Sequence, residues 1–290
     1  MTAAALKPSD RWLASGVRYA NRSPDALPAV VGADGVGILD DGNRVAFFAP
    51  QRPYGGMAER ALVRRGMWFE LPDGVSDVMA AGLMNPGMAA WKALMWEGEL
   101  TAGQSVLVLG ATGTSGRIAT QLAQRHGARV AAAGRNRGTL EWLSEHGADV
   151  TIELDQRREI LLETLLDAGP YDLVVDYLWG SAAETLFAAL ERKAMLSTGG
   201  PDRTLYVQVG MSAGEAARLP ALALRSAPLR LFGSGTGRQP GLDEAALAFN
   251  DLLQQVSAGE VAFEVEPMPL AEIERAWASS GGDHRIVLVP

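Results

Sequence analysis

Three rhythms of apolar and polar residues succeed one another along this chain. Up to about residue 85 the apolar runs are short and broken by Gly and Pro, as in PAVVGADGVGILDDGNRVAFFAP and YGGMAERALVRRGMWFELPDG. Short runs between turn signals predict a small, strongly bent β domain or half-barrel. From about Asn85 the spacing turns helical in PGMAAWKALMWEGEL, and from Ser105 apolar strands alternate with amphipathic helices. Strands are expected near 105–110, 129–133, 149–154, 171–176, 204–209 and 228–233, and helices near 115–126, 138–146, 156–168, 181–191 and 213–224. That alternation predicts an α/β fold, a doubly wound parallel sheet with helices on both faces. After a long helix near 241–257 the pattern becomes short and β-like again in VAFEVEPMPL and HRIVLVP, so the C-terminus is expected to return to the first domain.

Composition narrows the function classes. The 290 residues are 48% hydrophobic and carry a net charge of −8, which suits a globular protein with a substantial core. An acidic chain lacks the clustered Lys and Arg that a nucleic acid or an anionic membrane requires as main partner. The absence of cysteine excludes disulfides, iron–sulfur clusters, thiolate zinc sites and a cysteine nucleophile. No run reads as a signal peptide or a membrane span, so a cytoplasmic location is expected.

The stretch SVLVLGATGTSGRIATQLAQRHGARVAAAGRN carries the chemistry. A continuous apolar strand, Val106–Leu109, runs into Gly110, Ala111, Thr112, Gly113, Thr114, Ser115 and Gly116, and a helix follows with Ile118, Ala119, Leu122 and Ala123 on one face. A diphosphate must approach the backbone closely, which requires missing Cβ atoms, and the helix N-terminus offers free N–H groups and a positive dipole end. Thr112, Thr114 and Ser115 add hydroxyl donors. A glycine-rich turn alone would be weak, but strand, loop, helix and second strand coincide here. No GK[ST] follows, which argues against a phosphate-hydrolysing loop.

The end of the second strand selects the cofactor. An acid about twenty residues beyond the loop would accept from a ribose 2′-hydroxyl and repel a 2′-phosphate. This chain offers Arg135 and Asn136 instead. Arg135 can pair with a 2′-phosphate and Asn136 can donate beside it, so NADPH is expected rather than NADH.

A glycine loop of this kind also suits short-chain reductases, which place it at the extreme N-terminus and use a Tyr-x-x-x-Lys pair. The three lysines, Lys7, Lys92 and Lys193, are preceded at four residues by Ala3, Met88 and Ala189, so no such pair exists. The order GADGVGILDDGNRVAFFAP, YGGMAERALV, LPDGVSDVMAAGLMNPGMAAWKAL, LTAGQSVLVLGATGTSG, HGADVTIEL, DLVVDYLWG, VQVG and PLAEIERAWASSGGDHRIVL instead resembles the medium-chain dehydrogenase/reductase superfamily, and most its zinc-independent quinone oxidoreductase branch.

That resemblance implies a Rossmann domain, 86–259, and a GroES-like substrate domain from both chain ends, 1–85 and 260–290. It implies hydride transfer from NADPH to a quinone or an α,β-unsaturated carbonyl, with charge on oxygen met by hydrogen-bond donors rather than a metal. The three histidines form no site; His126 and His146 each precede a glycine, as helix C-caps do. The family's Asn-Pro, Asp and Tyr donor stretch resembles AAALKPSDRWLASGVRYA, in which Asp10 and Tyr19 match and Lys7 replaces the Asn. Lys7 reads as a donor to an enolate or as a solvated cation, and Tyr19 as a proton donor or a rim tyrosine. Asn85, in MNPGMAAW, reads as a cleft residue or the cap of a helix beginning there.

Gly210 and Met211, with Ser234 to Gly237, are expected near the nicotinamide. The family often forms homodimers through a sheet edge, for which PLRLFGSG is the candidate strand. Relatives carry further residues ahead of AAAL, which implies either a coding start downstream of the usual one or a naturally reduced substrate domain. Two alternatives stay open: a non-catalytic or regulatory NADPH-binding protein, and a biosynthetic enzyme reusing the scaffold.

Overall fold

The computed structural model describes residues 1–15, 28–196, 203–235, 237–279 and 284–290. It divides into two compact units, residues 1–88 with 241–290, and residues 89–240. The first unit opens with β1 (Ala4–Ala5), α1 (Pro8–Ala14), β2 (Asp34–Ile38), β3 (Arg44–Phe48), β4 (Trp68–Glu70) and α2 (Asp77–Trp91), within which the boundary falls. The second unit holds β5 (Ser105–Leu109), α3 (Thr114–Arg125), β6 (Arg129–Gly134), α4 (Arg137–Glu145), β7 (Val150–Glu153), α5 (Arg158–Ala168), β8 (Leu173–Asp176), α6 (Gly180–Leu196), β9 (Thr204–Gln208), α7 (Ala221–Ser226) and β10 (Leu229–Gly233). The chain then returns to the first unit with α8 (Leu242–Ser257), β11 (Val265–Pro269), α9 (Ile273–Ala278) and β12 (Arg285–Val289).

In the second unit all six expected strands form one parallel sheet, ordered β10-β9-β8-β5-β6-β7. The order reverses beside β5, which creates the switch point where open α/β sheets bind ligands, outside the carboxyl ends of the strands. Leu107 and Leu109 share a core with Leu165, Leu186 and Phe187 of α5 and α6, while Val106 and Val108, facing the other way, are equally buried. Burial on both faces explains why these strands read as unbroken apolar runs.

Among its described residues the first unit contains two three-stranded sheets, β2-β3-β4, which is antiparallel, and β1-β12-β11. The second of them joins the chain's two ends, with Ala4 paired to Leu288.

Three local expectations are corrected. The helix expected at 213–224 forms only over Ala221–Ser226, because Pro220 biases its predecessor to extended backbone and fits the start of a helix better than its middle. The helix expected near Asn85 begins at Asp77, with Pro86 in its interior. Burial of Ala80, Ala81, Leu83 and Met84 outweighs the roughly 3 kcal/mol that an interior proline costs. The available start signal is Ser76, whose hydroxyl accepts from the Met79 amide at 3.4 Å. Last, the expected domain 86–259 included the long helix now labelled α8, but α8 belongs to the unit of the chain ends. Its Phe249 ring lies 6.0 Å from Phe69, and its Leu252 abuts Gly87. A helical pattern shows an apolar face, not the surface that face covers.

Candidate functional site

At the end of β5 the three loop glycines have separate physical reasons. Gly110 adopts φ +87°, a conformation L side chains rarely hold. Gly116 sits where α3 crosses the strand end: an added Cβ would lie 2.2 Å from the Gly110 carbonyl oxygen. Gly113, the N-cap of α3, has φ −79° and ψ 164°, and a Cβ there would meet only the Gly110 oxygen, at 3.4 Å. No described residue requires Gly113 to lack a side chain. It is exposed, its helix has no side-chain cap, and no acid stands in the first turn. The α3 N-terminus therefore presents unpaired N–H groups and a positive dipole end behind an open backbone, the arrangement a diphosphate needs.

Around this loop, Thr112 packs on the end of β6, where a Cβ on Gly134 would come within 2.3 Å of the Thr112 methyl. Thr112 thus serves packing as well as offering a hydroxyl. Ala111 is fully buried, while Thr114 and Ser115 are half-buried. Beyond β6, Arg135 is exposed and makes no hydrogen bond or ion pair among the described residues. Asn136 caps α4, its Oδ1 accepting from the Thr139 amide at 3.0 Å, which leaves its NH2 group facing other partners. Arg137 is committed to Glu153, at 2.7 Å. His126 and His146 are the C-caps of α3 and α4, ahead of Gly127 and Gly147 at φ +82° and +117°.

The donor stretch in the first unit differs from expectation. Lys7 is 1% exposed, so it is no solvated cation. Its ammonium donates to Asp34 Oδ1 at 2.7 Å and to the Ala5 carbonyl at 3.2 Å, and lies 3.5 Å from Asp10 Oδ2. Asp10, fully buried, accepts from the Lys7 amide at 3.0 Å and so closes the first turn of α1. Burial pushes the Asp10 carboxyl above its ordinary pKa, with the Lys7 charge opposing the shift. No local pattern signals that Asp34, twenty-seven residues away, meets Lys7. Asn85 is exposed in mid-helix and caps nothing. Tyr19 lies outside the described residues.

No protein-family model matches the chain. A protein of Emericella nidulans named as a probable NADPH-dependent quinone reductase is 30% identical over 231 residues, covering 74% of this chain and 62% of that protein. A zinc-type alcohol dehydrogenase-like protein of Schizosaccharomyces pombe is 30% identical over 191 residues, 61% of this chain and 54% of that one. The quinone oxidoreductase of Thermus thermophilus, solved alone and with NADPH, superimposes with a TM-score of 0.77 at 28% identity, over 100% of this chain and 89% of that one. The chain's relatives and structural neighbours are quinone oxidoreductases and zinc-type alcohol dehydrogenase-like proteins, the quinone oxidoreductase branch of the medium-chain dehydrogenase/reductase superfamily. The chain spans less than two thirds of the length of these two curated relatives.

The chain places further groups at the carboxyl edge of its sheet that no sequence motif singles out. Asp176, fully buried at the end of β8, accepts from the amides of Leu178 (2.7 Å) and Trp179 (3.0 Å) and from the Tyr206 hydroxyl (2.6 Å). Burial raises its pKa, and those three donors oppose the rise. Its role is to hold the turn after β8, where Trp179 and Gly180 take φ +59° and +61°. The next residue, Tyr177, has a buried hydroxyl with no partner among the described residues. Gly210 packs beneath it, since a Cβ there would lie 2.4 Å from the Tyr177 carbonyl oxygen, and Met211 follows half-buried. The signal for Asp176 is an acid ending an apolar strand, DLVVD; two of its donors follow within three residues, and only the Tyr206 hydroxyl comes from another strand.

Proposed function

We propose that this protein is an NADPH-dependent reductase that delivers hydride to a quinone or an α,β-unsaturated carbonyl without a metal ion. The observation that carries the reading is the pair formed by the open backbone at Gly113 on the α3 N-terminus and the unpaired Arg135 at the end of β6. The names of the Emericella and Thermus relatives support the same chemistry.

In this reading the α3 amides take the pyrophosphate, with Thr114 and Ser115 able to donate alongside. Arg135 takes the 2′-phosphate, and the Asn136 amide nitrogen donates beside it. Gly210 and Met211, after β9, border the nicotinamide half. Reduced nicotinamide, when bound, supplies a two-electron hydride. The chain must then orient the acceptor and stabilise charge developing on its oxygen. Tyr19 is the proposed donor. Lys7 and Asp10 are read as structural support rather than donors, since the Lys7 ammonium is committed to Asp34 and Asp10 to the Lys7 amide. Among the described residues no group of His, Asp and Glu is gathered to hold a metal ion. A homodimer through the exposed edge of β10 is part of the proposal, as are a small-molecule partner and a cytoplasmic site of action; no described helix is long and apolar enough to cross a membrane.

Two measurements test this. Loss of NADPH absorbance is expected when a panel of quinones and enals is offered. Tight binding with no oxidation by any acceptor would replace the reductase with a regulatory NADPH-binding protein. Arg135→Asp is expected to shift the ratio of NADPH to NADH affinities by roughly a hundredfold toward NADH, the effect of exchanging a charge-assisted pair for a repulsive one. An unchanged ratio would remove Arg135 from the site.

A further inference from the structure

After α2 the helix widens into a π turn, Lys92–Trp96, in which the Glu97 amide donates to the Lys92 carbonyl at 2.8 Å. Such turns insert a residue and re-aim side chains. Here Lys92 is aimed into the protein, 8% exposed. Its ammonium donates to the carbonyls of Gly235 (2.7 Å) and Arg238 (2.6 Å), and lies 3.6 Å from Glu97 Oε1. All of these residues belong to the second unit.

The two carbonyls flank the loop that leaves β10. Among the described residues its other ties are these: the Ser234 amide donates to Gln208 O at 2.6 Å, Gln239 Nε2 donates to Gly235 O at 2.7 Å, and the Arg238 guanidinium lies 4.4 Å over the Trp96 ring. Among the described residues a buried lysine donating to two backbone carbonyls is therefore the principal fastening of the loop. The loop's outer side is open, because a Cβ on Gly235 or Gly237 would meet nothing within 4 Å.

The position of this loop gives the fastening a function. A dinucleotide crosses the switch point with one mononucleotide half on each side. Arg135, on the β6 side, takes the adenosine half, so the nicotinamide half is directed over β8, β9 and β10. We propose that Lys92 is a positioning residue for the nicotinamide half of the cofactor, acting through the backbone of Gly235 and Arg238. The inference rests on the NADPH reading above.

The test compares two ligands by calorimetry: NADPH, and 2′-phospho-ADP-ribose, which keeps the adenosine half and pyrophosphate but lacks nicotinamide. Lys92→Met is expected to weaken NADPH roughly tenfold, the scale of one lost charge-assisted hydrogen bond, with 2′-phospho-ADP-ribose unchanged within about twofold. Arg238→Ala, at an exposed position that the fold tolerates, should show the same selectivity at about threefold and carries the test if Lys92→Met fails to fold. Equal weakening of both ligands, or of neither, would overturn the inference alone. A wild-type protein that binds neither ligand would overturn the NADPH reading and the inference with it.

Discussion

Gly113→Asp is expected to weaken NADPH binding at least a hundredfold while leaving the protein as stable as before, or slightly more so. The two effects have one cause. Gly113 is the N-cap of α3, in extended backbone that any residue adopts, and a Cβ would meet only one atom at 3.4 Å. Asp is among the best N-caps, worth a few tenths of a kcal/mol or more over Gly. Its carboxylate would accept from the same amides that are proposed to bind the pyrophosphate, and would repel the phosphates. Hydrogen bonds to charged groups contribute about 1.5–3 kcal/mol each, so losing two passes a hundredfold. Gly116→Ala is the contrasting control: its Cβ would lie 2.2 Å from a carbonyl oxygen, and α3 must move or unfold. Thermal melts and NADPH titrations on both variants check the pair. Retained affinity in Gly113→Asp would mean that no phosphate sits on this helix end.

Lys7→Met is expected to destabilise the protein by about 3–5 kcal/mol at neutral pH, the usual cost of leaving buried charge without its partner. The variant keeps the length and apolar stem of the side chain but removes the ammonium that lies 2.7 Å from Asp34 and 3.5 Å from Asp10. The deficit should depend on pH with a definite sign. Burial already raises the Asp10 pKa, and the Lys7 charge holds that rise in check. An acid whose pKa is raised on folding favours the fold below its unfolded value, and that contribution is lost as pH rises through the folded value. Without Lys7 the folded value rises further, so the deficit should shrink as pH falls toward the ordinary carboxylate range. Urea denaturation of both proteins at several pH values measures it. A deficit that stays constant with pH would sink the buried-charge account. Adding Asp34→Asn to Lys7→Met should restore a substantial part of the lost stability, because a neutral amide needs no counter-charge.

How far the chain can be read without its fold follows the range of the physics involved. The six parallel strands are legible because each is buried on both faces, and a strand so placed is written as a continuous apolar run. The glycine loop is legible because its constraints are local: a positive φ at Gly110 and a helix crossing at Gly116 involve atoms only a few residues apart. Arg135 is legible as an exposed strand-end cation, and the structure leaves it one. Lys7 reads as solvated or donating because its burial depends on β1, β2 and α1 meeting. Asn85 reads as a cap because the proline after it is the stronger local signal, and only packing along 80–84 shows that the helix passes through it.

Periodicity and contacts between near neighbours in the chain were enough for the α/β class, the strand and helix order of the second unit, the glycine loop, and the cation in place of an acid at the end of β6. Four features needed the folded chain: α8 joins the chain ends, Lys7 lies between two carboxylates, Asp176 accepts from the Tyr206 hydroxyl of the neighbouring strand, and Lys92 fastens a loop whose Gly235 stands 143 residues further on. The energy of a buried charge depends on every atom around it, and those atoms come from segments whose meeting no local pattern records.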